Sequence, residues 1–206
     1  MTSDDRQVHW DSVYRTKGED QVGWFEDDPA LSRELIRQVA ADTRSAVVDV
    51  GGGASRLVDR LLADGFEDIT VLDLSASALD AAKARLGAWA GRVRWIVTDV
   101  TRWQAPQRYD VWHDRAAFHF LTREEDRSAY VACLERALAP AGHAVIATFA
   151  LDGPARCSGL PVVRYDPAGL ARVLGPTFAP IVSRSHTHRT PQGAAQEFQF
   201  SVFRRA

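Results

Sequence analysis

Three aspartates are spaced as if to surround one ligand. Asp49 lies near the end of the apolar run "AVVDV" and is followed by Gly51, Gly52 and Gly53. Asp73 lies at the end of "VLDL", and Asp99 near the end of "VTDV". Bare glycine backbone allows tight turns and close approach of a ligand to the main chain. A carboxylate fixed beside that backbone repels a diphosphate and attracts an ammonium or sulfonium. Asp73 follows the last glycine by about 20 residues, a spacing at which an acid accepts hydrogen bonds from ribose hydroxyls. Asp99 is placed to accept from an exocyclic amine such as that of adenine. Taken singly, each acid reads equally well as a helix cap. Taken together, they ask for a nucleoside with amine donors and positive charge.

Phosphate ligands fit the same stretch poorly. A Walker loop needs Gly-Lys-Ser/Thr, and Ala54-Ser55-Arg56 stands there instead. The dinucleotide fingerprint would place its third glycine at position 56, which is Arg56.

The elements that must hold these acids alternate. "SAVVDV", "ITVLDL", "VRWIVTDV", "YDVWHDR" and "HAVIATFA" read as five strands. Between them lie amphipathic helices: "SRLVDRLLADG" ending at Gly65, a helix capped by Ser75, and one opened by Thr122 with Glu125 in a capping box. "PAG" at 140–142 reads as a turn, and Asp166-Pro167 starts a short helix. "TFAPIVSRSHTHR" and "AAQEFQFSVFRR" are two final strands joined by "TPQG", a connection short enough to force an antiparallel pair. The expected fold is α/β: a doubly wound, mostly parallel seven-stranded sheet with an antiparallel last strand. Upstream, "DRQVHWDSVYRTK" suggests a helix, and Asp28-Pro29 begin another. Residues 1–44 are expected to form a helical cap or lid on a Rossmann-like core at 45–206, all in one domain.

On these residues ("VVDVGGGAS", "VLDLS", "VTDV" and the strand-helix order from about residue 45 onward) the sequence resembles the class I S-adenosylmethionine-dependent methyltransferases. The resemblance implies S-adenosyl-L-methionine as cofactor. It places Asp49 and Gly51 to Gly53 along the methionine portion and Asp73 on the ribose. It sets Leu74 beside the adenine and Asp99 at its amine with the Val100 backbone donating, and it counts Ser75 among the cofactor-binding residues. It also turns the residues after the fourth strand, "HDRAAFHFL", toward the transferable methyl group. His113, with Asp114, is the first candidate for a catalytic base, since a histidine titrates near neutral pH. Arg115 and Asp114 read equally well as an ion pair with each other or with a nearby loop. His119, in an apolar run, reads as a packed histidine.

The N-terminal arm carries large rings in a polar context: Trp10, Tyr14, Trp24 and Phe25. Aromatic faces attract sulfonium groups, so Trp10 and Tyr14 are expected to cover the methionine end of the cofactor. The arm resembles that of small bacterial methyltransferases distantly akin to protein-lysine methyltransferases. Cys157, Arg164, Tyr165, His186, His188 and Gln196 are expected to border the acceptor pocket. His186 and His188 share a strand face, yet without a third ligand they read as a solvated strand end, and no metal is expected.

The 206 residues carry 46% hydrophobic residues, enough for a sizeable core, and a formal net charge of −2, so no overall basic field draws nucleic acid. The Asn/Asp-Pro-Pro-aromatic motif of adenine- and glutamine-amide methylation is replaced by "HDRA". The start of the chain is acidic and polar, and no apolar run approaches the ~20 residues of a membrane span, so a cytoplasmic protein is the expectation. A small-molecule acceptor is favoured and a protein-lysine acceptor is the alternative. A nicotinamide oxidoreductase and a non-catalytic nucleoside-binding protein are the readings from other classes.

Overall fold

The computed structural model describes residues 3–206. The strands are β1 (Val47–Val50), β2 (Ile69–Asp73), β3 (Val93–Val97), β4 (Tyr109–Arg115), β5 (Leu138–Phe149), β6 (Arg156–Cys157), β7 (Leu160–Pro161), β8 (Phe178–Arg189) and β9 (Ala195–Arg205). Seven of them form one sheet in the order β3-β2-β1-β4-β5-β9-β8, and β6 pairs with β7 alone. β1 to β5 are parallel, whereas β9 runs antiparallel to both β5 and β8. The short connection after Arg189 imposes that reversal, as the sequence predicts. The strand order turns back between β1 and β4, which opens a crevice at their carboxyl ends.

β1 is buried at every position because both faces of the sheet are covered. Val48, Val50, Trp112 and Ile146 belong to one apolar cluster, and Val47, Val111 and Val145 to the other. Period-two alternation divides them between the faces. Helices α1 (Ser3–Thr16), α2 (Ala30–Val39), α3 (Leu57–Ala63), α4 (Ala76–Leu86), α5 (Glu124–Ala137) and α6 (Pro167–Leu174) complete the fold. In α5, Tyr130, Cys133, Leu134 and Ala137 form the buried stripe, at the spacing of one helical face. Cys133 and Cys157 are free and lie in different clusters.

Helix starts were the least legible feature. Ser75 caps α4 by accepting from Ala78 N, and Asp166 caps α6 by accepting from Gly169 N, both as expected. The Thr122 box does not form: Arg123 is the N-cap of α5, with no side-chain cap bond. α2 begins one residue beyond Pro29 rather than at Asp28. The "PAG" stretch lies within β5, which absorbs the bend through Ala141 at φ 61°.

Candidate active site

A cleft opens at the carboxyl ends of β1 to β4, the place where ligands bind to such sheets. Each strand delivers one part of its wall: Val50 and Gly51 after β1, Leu72 to Leu74 around the end of β2, Thr98 to Val100 after β3, and Arg115 to Ala117 after β4. Trp10, Tyr14 and Trp24 close it from the N-terminal side. Phe120, Phe149, Cys157, Gln196 and Phe198 also line it, with Phe120 packed on Trp10.

The glycine loop is built for close approach. Gly51 has φ 69°, and a Cβ there would meet Ala117 Cβ at 2.6 Å. A Cβ at Gly52 would lie 2.5 Å from Asp49 Oδ2 and 2.8 Å from Val71 Cγ1. Both positions therefore exclude a side chain sterically. Arg85 holds the far side of this loop, donating to the carbonyls of Ala54 and Ser55, each at 2.9 Å. Asp73 is almost wholly buried, and its Oδ1 accepts from Ser75 N at 2.8 Å. Burial, with the charge of Asp49 adding, pushes the Asp73 carboxyl up to about 7.

His113 and Asp114 do not take the places expected of them. His113 Nδ1 lies 2.7 Å from Asp49 Oδ1 and Nε2 lies 2.9 Å from Ser32 Oγ, so both ring nitrogens are held within the protein. The ring faces a neighbouring hollow of about 540 Å³ between Asp49, Ser32 and the Trp24–Glu26 segment, instead of the main cleft. Asp114 points to the other face of β4, as strand alternation requires. It accepts from Ala117 N at 2.9 Å, Phe118 N at 3.1 Å and Tyr130 Oη at 2.8 Å, and so closes the turn after β4. Burial pushes its carboxyl up to about 6. Ser75 is likewise withdrawn. Its hydroxyl caps α4 and donates to Asp11 Oδ1 at 2.7 Å. His119 is fully buried, as expected, and burial pushes it down to about 3.

Asp99 lines the cleft, but its lone pairs are taken. Oδ2 receives Ser3 Oγ at 2.6 Å and Arg6 Nη2 at 2.7 Å; Oδ1 receives Thr101 N at 2.9 Å and Thr101 Oγ1 at 2.7 Å. Burial opposes the charge, yet these donors outweigh it and hold Asp99 below the usual carboxylate range. Arg6 also reaches Asp126 at 2.9 Å, which fastens α1 to α5. No local pattern marks Arg6, because its partners lie far along the chain. The arm is fastened again at Glu19, which pairs with Arg56 at 2.9 Å and with Arg85. Between these anchors, Trp24 Nε1 donates to Tyr14 Oη at 3.1 Å, and Trp10 makes edge contacts with Trp24 and Phe120. Tyr14 Oη comes within 2.9 Å of where a Gly53 Cβ would sit.

On the opposite side, Arg115 pairs with the N-terminal loop and not with Asp114. Nη1 donates to the Trp24 carbonyl at 2.9 Å and Nη2 lies 2.9 Å from Glu26 Oε1. Burial lowers its pKa, an effect that Glu26 partly offsets. His186 and His188 also converge on Glu26, at 3.4 Å and 3.2 Å. His188 is buried and its Nε2 lies 2.8 Å from the Gly23 carbonyl oxygen, so it is no solvated strand end. Arg164 and Tyr165 are outside the cleft wall; Arg164 donates to the Gly153 carbonyl at 3.1 Å.

Residues 47–142 match the family model of a methyltransferase domain. Among solved structures, the chain is similar to the N-methyltransferase NodS from Bradyrhizobium japonicum WM9 in complex with S-adenosyl-L-homocysteine. The identity is 18% and the TM-score 0.74, over 96% of this chain and 98% of that one. It is also similar to the 1,6-didemethyltoxoflavin-N1-methyltransferase of Burkholderia thailandensis with bound 1,6-didemethyltoxoflavin and S-adenosylhomocysteine. There the identity is 21% and the TM-score 0.71, over 100% and 91% of the two chains. The glycopeptide N-methyltransferase MtfA gives 16% identity and a TM-score of 0.65, over 88% and 92%. At these identities the structural likeness establishes the fold. No curated protein sequence matches the chain. Residues 47–142 thus form a methyltransferase domain on the class I methyltransferase fold, with S-adenosylmethionine as its cofactor. Among the described residues, no helix is long and apolar enough to cross a membrane.

Proposed function

We propose that this methyltransferase acts on a small-molecule acceptor, held against the aromatic side of the cleft. The observation that carries the reading is the wall itself. Trp10, Trp24, Phe120, Phe149 and Phe198 converge there, and the arm bearing the two tryptophans is fastened across the opening. An apolar, roofed cavity suits a compact acceptor better than an extended peptide.

The residues present fit the cofactor. Gly51 and Gly52 leave a cradle that a Cβ would fill, and Asp73 brings a carboxylate to the cleft wall. Asp73 takes the ribose hydroxyls, Leu74 and Val100 flank the adenine, and the Val100 backbone donates to it. Gly51 to Gly53 and Asp49 line the methionine portion, with Tyr14 and Trp10 above. An adenine amine reaches Asp99 only by replacing Ser3 or Arg6, since all its acceptor positions are filled. Residues 1–44 act as the cap of a core at 45–206. When bound, S-adenosylmethionine supplies a methyl group on a cationic sulfur. The chain's task is then alignment of the acceptor with that group and exclusion of water. With His113 and Asp114 committed internally, this side of the site contributes orientation instead of a base.

The test is transfer of isotopically labelled methyl from S-adenosylmethionine to a metabolite panel and, in parallel, to protein extract. Label is expected in the small-molecule fraction. Label confined to protein lysines would overturn the proposed acceptor class.

A further inference from the structure

We propose that Arg115 and Gln196 are a specificity pair: together they read a flat aromatic acceptor carrying a hydrogen-bond donor beside an acceptor oxygen, as in a heteroaromatic lactam. This deepens the preceding proposal and rests on it. Both side chains line the cleft, and Arg115 also borders the hollow beside the glycine loop. Arg115 spends Nη1 on the Trp24 carbonyl and pairs Nη2 with the Glu26 charge at 2.9 Å, but its buried Nε and Nη2 have no hydrogen-bond partner. Gln196 Oε1 is also buried without a partner.

Orphaned polar atoms are costly when buried, and a ligand that supplies their partners recovers that cost. Two donor atoms of Arg115 and one acceptor of Gln196 thus lack partners beside the aromatic lining of the cleft. The Arg115 guanidinium lies 5.0 Å from the centroid of Phe198, whose ring packs against Phe149 at 4.8 Å. Flat aromatic surface next to an open N–H and an open C=O selects a planar ring with a complementary polar edge. The cationic guanidinium also disfavours a lysine ammonium at the same place.

Two small probes separate the idea from general apolar binding: 2-quinolinone, which offers N–H beside C=O, and 1-methyl-2-quinolinone, which lacks the donor. Their affinities are measured by ligand-detected NMR on protein saturated with S-adenosylhomocysteine. The wild type is expected to prefer 2-quinolinone by about tenfold, the worth of roughly one hydrogen bond. Gln196→Met should erase that preference while leaving the affinity for S-adenosylhomocysteine as in the wild type. Arg115→Met should weaken both probes. Arg115 also braces the Trp24 loop, so if that variant fails to fold, the Gln196 comparison decides alone. Equal affinities in the wild type, binding of neither probe, or a preference that survives in Gln196→Met would each overturn the pair. Failure of S-adenosylhomocysteine to bind would instead strike the cofactor assignment beneath it.

Discussion

Nδ1 of His113 lies 2.7 Å from Oδ1 of Asp49, on neighbouring parallel strands at positions paired in register. Asp49 Oδ2 in turn occupies the space that a side chain at position 52 would need. The histidine therefore positions the carboxylate under the glycine loop. His113→Ala is expected to lower stability by about 1–3 kcal/mol, from the buried partners left unpaired. Thermal melts measure this. The pH dependence of kcat should keep its wild-type shape. Loss of a limb near neutral pH at unchanged melting temperature would restore the histidine to a base role.

Gly52→Ala puts a methyl group at 2.5 Å from Asp49 Oδ2 and 2.8 Å from Val71 Cγ1. Overpacking of that kind costs about 1–3 kcal/mol. The melting temperature should fall and binding of S-adenosylhomocysteine should weaken with it. Wild-type values for both would show that the loop has room to relax.

Asp73→Ala removes the carboxylate proposed for the ribose. Calorimetry should show S-adenosylhomocysteine binding weakened by about 1–3 kcal/mol. An affinity equal to that of the wild type would take Asp73 out of this role.

The same residue predicts a proton signal. In the folded protein Asp73 holds its proton up to about pH 7, against 3.8 ordinarily. The folded state therefore binds more protons between those values. The stability this group contributes is full below about 3.8 and is lost as pH rises through about 7. Ribose hydroxyls donating to the ionised form shift the balance the other way. Binding of S-adenosylhomocysteine below pH 7 should release a proton, and affinity should rise with pH up to that point. Calorimetry in two buffers of different ionisation enthalpy reads the release directly. Asp73→Asn should abolish it.

Deleting residues 1–27 removes Trp10, Tyr14 and Trp24 together with the Arg6 and Glu19 anchors. Loss of that aromatic cover should weaken S-adenosylhomocysteine binding by roughly tenfold or more. Unchanged affinity in a folded deletion variant would refute a covering role for the arm.

Much of the fold was written in local pattern. Continuous apolar runs mark strands buried on both faces, and "TPQG" between two alternating stretches fixes the antiparallel β8–β9 pair. Asp73 and the glycines were legible because their spacing follows from a strand meeting a turn. What stayed hidden depends on partners remote in sequence. Arg6 meets Asp99 across 93 residues, and no local periodicity encodes that pairing. His113 looked available because nothing in "VWHDR" reveals that Ser32, on α2, closes its second nitrogen. His186 and His188 looked solvated for the same reason, since Glu26 comes from the other end of the chain.

The β8–β9 hairpin meets the N-terminal arm: His188 pairs with Gly23 across 165 residues, and Gln192 with Gln21 across 171. Contacts so distant in sequence form late, after the intervening chain has collapsed. On a ribosome, the arm emerges before the hairpin it meets. A nascent chain with its first five strands in place thus still lacks Gln196 and Phe198, the share of the cleft lining that β9 supplies.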